Sequence, residues 1–109
     1  MRVMVTGAAG FVGKWLCPQL SACEHEVIAI VRKTPKDPIK GAMSTFCLGD
    51  IGSSTDWSRS LNGVDVIVHL AAKTHDFEKK EEDKEALFHK INVEGTVKLA
   101  VSAAEMGVR

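Results

Sequence analysis

Gly7, Gly10 and Gly13 recur at a spacing of three directly after the apolar run Val3-Met4-Val5. Between a strand and a helix, this GxxGxxG spacing brings an anion close to the main chain. Gly7 permits the tight turn out of the strand, and Gly10 removes a Cβ that would hold a pyrophosphate off the backbone. Gly13 lets the following helix pack closely on the sheet. The N–H groups that open this helix, around Phe11 and Val12, face the anion, and the helix dipole favours negative charge there. Three glycines alone are a weak signal; at the start of a β-α-β unit they predict a dinucleotide.

The end of the second strand bears on which dinucleotide. Asp or Glu at that position bonds the ribose hydroxyls of NAD. Here Val31 is followed by Arg32 and Lys33. Two cations at this rim suit a 2′-phosphate, to which Arg forms charge-assisted bonds. Arg32 could equally stack on the adenine of NAD, or both residues could be solvated loop charges, so the sequence leaves NAD and NADP open.

Other chemistry is sparse. His25, His69, His75 and His89 form no pair at metal-ligand spacing, so no metal site is predicted. Cys17, Cys23 and Cys47 are odd in number with none at CxxC spacing, which predicts free thiols in a reducing, cytoplasmic setting. There is no tyrosine, so this chain by itself cannot use a phenolic acid or base.

The elements that must position these residues alternate. A strand at 3–5 leads into a helix over 11–22, in which Phe11, Trp15, Leu16 and Leu20 recur at helical spacing and Pro18 removes one internal hydrogen bond. Val27 to Val31 is a continuous apolar run, as in a strand buried on both faces. A loop over 32–41 precedes a strand at 43–48. A short helix is predicted over 56–61, capped by Thr55 and ended by Asn62-Gly63. Next come a strand at 64–70, a charged segment at 73–84 expected to be a solvated loop or exposed helix start, and a long helix over 85–106 ended by Gly107. Val93, Val97, Ala100, Val101 and Ala104 are expected on its buried face. Parallel strands need crossovers, and right-handed ones stack helices on both faces of the sheet. The fold class is therefore α/β, a Rossmann-type doubly wound parallel sheet of about four strands.

Length and charge bound the partners. The 109 residues, 45% apolar and 26% charged, suffice for one modest core and no second domain. Fourteen basic residues balance fourteen acidic ones, so the excess needed to grip nucleic acid is missing. No apolar run approaches the roughly 18 residues of a membrane span.

At this point the residues carry a family resemblance. Thr6-Gly7-Ala8-Ala9-Gly10-Phe11-Val12-Gly13, Gly49-Asp50-Ile51, His69-Leu70-Ala71-Ala72 and Asn92-Val93-Glu94-Gly95-Thr96 occur in order along nearly the whole chain. The sequence resembles the N-terminal part of the extended short-chain dehydrogenase/reductase family, in its nucleotide-sugar epimerase/dehydratase branch and nearest the UDP-glucose 4-epimerase-like proteins. The resemblance implies that the backbone of Phe11 and Val12 holds the pyrophosphate of NAD or NADP, and that Asp50 and Ile51 flank adenine. It also implies that Leu70, Ala71, Ala72 and Lys73 form the wall beside the nicotinamide ribose, and that Asn92 ties its helix to the neighbouring strand. His69 is structural in this pattern.

Two departures stand out. Glu24 occupies a helix C-terminal turn where the family has Gly, at a cost of roughly 1 kcal/mol if φ is positive. The family's Ser/Thr and Tyr-x-x-x-Lys lie beyond the last residue here, so residues 1–109 are expected to be the cofactor-binding part of a longer enzyme, inactive alone. The implied partner of the whole protein is a nucleotide sugar, and the strand at 64–70, left as a sheet edge, predicts self-association. A non-catalytic dinucleotide sensor and an NADPH-dependent ketone reductase of the same family are the alternatives.

Overall fold

The computed structural model describes residues 1–72 and 81–108, with the side chains of 81–84 left undescribed. Four parallel strands form one sheet: β1 (Arg2–Thr6), β2 (Glu26–Val31), β3 (Ala42–Cys47) and β4 (Val66–His69). Their spatial order is β3-β2-β1-β4, so the chain works outward on one side of β1 and then crosses to the other. In the register, Thr6 lies between Ile30 of β2 and His69 of β4.

The apolar run of β2 is buried on both faces, as its composition requires. Met4, Ile28 and Ile30 point to one face, where they join Trp57, Leu61 and Leu99. Val3, Val5, Val27, Ala29 and Val31 point to the other, under Cys17. This two-sided core is the doubly wound architecture that the element order predicts.

Helix α1 (Phe11–Ala22) continues through Pro18. Its closest line to the sheet is Gly13 and Cys17, with Leu16 and Leu20 half-buried; Phe11 and Trp15, expected in the same stripe, are exposed. Gly13 sets this rotation, since a Cβ there would stand 2.5 Å from the Gly7 carbonyl oxygen and 2.7 Å from the Ala8 Cα.

The predicted short helix at 56–61 is instead a run of turns. The Thr55 hydroxyl accepts from the Gly52 N–H at 2.8 Å and caps no helix. Asp56 accepts from both the N–H and the hydroxyl of Ser58, closing a local turn that competes with helix. Trp57 and Leu61 are buried nonetheless, and Gly63 makes the expected turn at φ 72°.

The last helical stretch starts earlier than predicted and is not uniform. Helix α2 (Glu81–Phe88) passes through one π-helical segment (His89–Glu94) into α3 (Gly95–Glu105). Its buried line is Ile91, Gly95, Leu99 and Ala103. Val93, Val97, Ala100, Val101 and Ala104, predicted as the buried face, are exposed, with Val97 at 57%. Gly95 is the physical reason: a Cβ there would meet Ile51 Cγ1 at 3.1 Å and the Ile51 carbonyl oxygen at 3.2 Å, so the helix rests its glycine on Ile51. No helix among the described residues is long and apolar enough to cross a membrane.

Candidate nucleotide-binding cleft

The chain order reverses beside β1, and in open α/β sheets such a switch point opens a crevice beyond the carboxyl ends of the strands. A cleft of about 440 Å³ lies there. Its floor is the glycine loop at Gly7, Ala9 and Gly10; Arg32 follows β2, and Asp50 and Ile51 follow β3. Ala71 and Ala72 close it beyond β4, and Ile91 closes it from the π-helical segment.

Packing leaves the glycine loop no alternative path. Gly7 has φ 66°, and a Cβ on it would stand 2.8 Å from the Ala71 nitrogen and 2.9 Å from the Leu70 carbonyl carbon. Gly10 caps α1 without a side-chain hydrogen bond, and the first turn holds no acidic residue. The opening N–H groups of α1 are thus kept from side-chain acceptors and present the positive end of the dipole. Such a loop fits a pyrophosphate, and its volume lies in the ordinary range for small-molecule sites.

Behind the cleft runs a directed hydrogen-bond chain. The Thr6 hydroxyl accepts from the N–H groups of Leu70 at 3.0 Å and Ala71 at 3.1 Å. With both acceptor positions used, it donates its hydrogen to His69 Nδ1 at 2.6 Å. The imidazole is then the neutral tautomer protonated at Nε2, which lies 3.1 Å from Thr96 Oγ1 and donates to it. Thr96 in turn donates to the Asn92 carbonyl at 2.8 Å. Burial pushes the His69 pKa below its ordinary 6.5, consistent with the neutral ring. His69 therefore ties β1, β4 and the start of α3 together, in a structural role.

Seven of the residues singled out in the sequence meet in the cleft: Gly7, Gly10, Arg32, Asp50, Ile51, Ala71 and Ala72. Gly13 is buried against the loop, and the side chains of Phe11 and Val12 are exposed at the helix start. Leu70 supplies backbone against Gly7 while its side chain packs into the core. Lys33 is exposed on the loop after β2 and is outside the cleft lining. Asn92 is half-buried and engages Thr96 through its carbonyl. Lys73 lies outside the described residues. Sequence reasoning passed over Ile91, whose signal was its place one helical turn before Gly95, and Ala9, whose methyl lies between the outer glycines.

Arg32 Nη1 stands 3.7 Å from Asp50 Oδ1 across the mouth, both side chains half-exposed. The thiols are free, Cys17 buried and Cys23 and Cys47 exposed; burial pushes the Cys17 pKa up, which keeps that thiol protonated. Among the described residues no group of His, Cys, Asp and Glu is placed to hold a metal.

A parallel, doubly wound sheet with a glycine loop at its switch point defines the Rossmann class of nucleotide-binding folds. The model of the NAD dependent epimerase/dehydratase family matches residues 3–109, and the chain belongs to that family. It is 33% identical over 107 residues to a UDP-glucose 4-epimerase of Vibrio cholerae, covering 98% of this chain and 32% of that protein. It is 34% identical over 111 residues to a 3-beta-hydroxysteroid dehydrogenase of Mycolicibacterium neoaurum, covering 99% of this chain and 30% of that one. Among solved structures, MoeE5 in complex with UDP-glucuronic acid and NAD superposes with a TM-score of 0.78 at 26% identity, over 100% of this chain and 34% of that chain. The chain thus spans about a third of the length of each of these relatives.

Proposed function

We propose that residues 1–109 are the cofactor-binding part of an NAD(P)-dependent nucleotide-sugar epimerase or dehydratase, of the UDP-glucose 4-epimerase-like kind. The observation that carries this reading is the uncapped start of α1 over Gly7 and Gly10, at the floor of a cleft whose far rim is Asp50 and Ile51. In this reading the N–H groups of Phe11 and Val12 hold the pyrophosphate. Asp50 accepts from the adenine amino group and Ile51 packs on the ring. The small side chains of Ala71 and Ala72, with Leu70 and Lys73, leave room for the nicotinamide ribose. Asn92 and Thr96 hold the helix against the end of β4. A bound nicotinamide supplies the hydride acceptor and donor, while the protein supplies position and electrostatics.

The catalytic base is not in this chain. With no tyrosine in its 109 residues, it holds the cofactor and does not turn over a sugar by itself. The partner of the whole protein is a nucleotide sugar, and its compartment the cytoplasm. Self-association belongs to the same reading, because β4 pairs only with β1 among the described strands and Val93, Val97 and Val101 stand exposed.

The test is calorimetric titration of the purified whole protein with NAD⁺ and NADP⁺, followed by an assay for UDP-glucose to UDP-galactose interconversion. Binding of a dinucleotide together with turnover is expected. Failure to bind either dinucleotide sinks the reading. Binding without turnover of sugar nucleotides, but with reduction of a ketone, replaces the epimerase by a reductase, which the similarity to the hydroxysteroid dehydrogenase favours as the second reading.

A further inference from the structure

We infer that the outer ridge of α1, with the loop that follows β2, rests on an anionic lipid surface as a peripheral membrane contact. The inference goes beyond the dinucleotide reading and does not depend on it, since it concerns the face of α1 turned away from the sheet. The buried residues of this helix are Gly13 and Cys17, which form one line. Trp15 lies on the opposite side of the helix, and Phe11 stands one turn before it on the same ridge. Theirs are the most exposed large apolar side chains among the described residues, Phe11 at 84% and Trp15 at 67%, and Val12 beside them is exposed as well. The pyrophosphate reading uses only the main-chain N–H of Phe11, and its ring stands in solvent. Exposed apolar side chains gathered in one place, with charge at their border, mark a surface that meets a partner.

A cationic border flanks this ridge. Lys14 of α1 shares a hollow with Lys36 and Lys40 of the loop after β2, and Asp37 is the one carboxylate in its lining. Close packing holds the loop against the helix: a Cβ on Gly41 would stand 2.7 Å from the Cys17 carbonyl oxygen and 2.9 Å from the Pro18 Cα. From Phe11 to Ala22 the helix carries no acidic residue. Aromatic rings bordered by ammonium groups match the two layers of a phospholipid surface. The indole and phenyl rings enter the boundary between headgroups and acyl chains, where Trp is favoured. The lysine stems extend so that their ammonium groups reach anionic headgroups. A protein partner fits less well, because lysine is depleted in protein interfaces. The rings also stand on a convex ridge rather than in a groove, which suits a lipid surface better than a strand of nucleic acid. Such a contact lies on the membrane and needs no spanning helix.

The experiment sediments the whole protein with vesicles of phosphatidylcholine alone, and with vesicles in which about a third of the lipid is phosphatidylglycerol. Binding to the anionic vesicles alone is expected, and it should weaken as salt rises. Trp15→Ser should weaken it about tenfold, and Trp15→Phe, which keeps a ring, by much less. Lys36→Glu combined with Lys40→Glu should weaken it about tenfold as well. All three side chains are exposed, so the unfolding midpoints of these variants should stay in place. Tryptophan emission should shift to the blue on binding, and Trp15→Phe should lose that shift, since Trp57 is already buried at 1% exposure. No binding to the anionic vesicles at low salt overturns the inference. Binding that Trp15→Ser and the lysine pair leave unchanged also overturns it. So does protection of Trp15 from a soluble quencher without lipid, which would show that another part of the chain or a second copy covers the ridge. Tighter binding to a single-stranded oligonucleotide than to the anionic vesicles would overturn it in favour of nucleic acid.

Discussion

The Thr6 hydroxyl lies 2.6 Å from His69 Nδ1, joining the ends of two paired strands directly behind the candidate cleft. Because Thr6 also accepts from two backbone N–H groups, the imidazole nitrogen facing it must be an acceptor. A buried threonine thus fixes the tautomer of a histidine, and that histidine reaches the helix that roofs the site through Thr96. The sequence pattern implies a structural role for His69, and the contacts of the pair supply one. Its geometry makes it a brace.

Protonating His69 would place a hydrogen on Nδ1 against the Thr6 hydroxyl, in a half-buried setting that already lowers its pKa from 6.5. Since the unfolded chain takes up this proton more readily, the contribution of His69 to stability is complete above about pH 6.5 and is lost as pH falls toward the lowered folded value. The expected NMR titration of the His69 ring has its midpoint below 6.5. A midpoint at or above that value would contradict the hydrogen-bond assignment. Thr6→Val leaves the Ala71 N–H and His69 Nδ1 without this partner and should cost about 1–3 kcal/mol in urea unfolding.

The glycines divide by what surrounds them. Gly13→Ala puts a methyl 2.5 Å from the Gly7 carbonyl oxygen and should cost about 1–3 kcal/mol as overpacking. Gly7→Ala adds positive-φ strain of about 1 kcal/mol to a clash with the backbone of Leu70 and Ala71. At Gly49 φ is 70° but a Cβ meets nothing within 4 Å, so Gly49→Ala should cost only the strain, about 1 kcal/mol. Equal losses at all three positions in thermal unfolding would refute this division.

Much of the fold was legible because its signals are local. The β-branched run of β2 can be buried only between strands, and three spaced glycines after a strand have few other uses. The switch point follows from element order, and it gathers Asp50 and Ala71 into the cleft from positions far from Gly10 in sequence. What escaped was rotation. Both faces of α3 carry apolar residues at helical spacing, so periodicity could not choose between Leu99 and Val97. That choice was made by Gly95, through contact with Ile51, which is remote in sequence. Likewise the turns at 56–61 follow from Asp56 bonding Ser58, a competition that side-chain type permits but does not decide.

Two helix ends offer a controlled comparison. After α1, the Glu24 N–H bonds the Ser21 carbonyl and the His25 N–H bonds that of Leu20; after α3, Gly107 and Val108 make the same pair of bonds to Ala104 and Ala103. Both are Schellman turns. The central residue has φ 67° at Glu24 and 74° at Gly107, so the same conformation is occupied once by Glu and once by Gly. Glu24→Gly should therefore stabilise the protein by about 1 kcal/mol, and Gly107→Ala destabilise it by a similar amount. Paired denaturation curves check both signs, and destabilisation by Glu24→Gly would show that its side chain contributes more than its backbone costs.

The rotation of α3 is itself testable, because its two apolar faces give opposite expectations. Leu99 is 3% exposed and belongs to the cluster with Met4, Ile28 and Trp57. Truncating it removes buried methyls and leaves a cavity, so Leu99→Ala should cost about 2–5 kcal/mol. Val97, one face away and 57% exposed, loses little contact on truncation, and Val97→Ala should stay within about 0.5 kcal/mol of the unmodified protein. Were the helix turned to bury Val93, Val97 and Val101, the two losses would exchange. Ala103→Leu separates the cases further: it must force a larger side chain into a position 9% exposed, at about 1–3 kcal/mol, whereas Ala104→Leu on the open face should be nearly neutral. Chemical denaturation of these four variants reads the rotation directly, and the close contact of Gly95 with Ile51 at the cleft depends on its outcome.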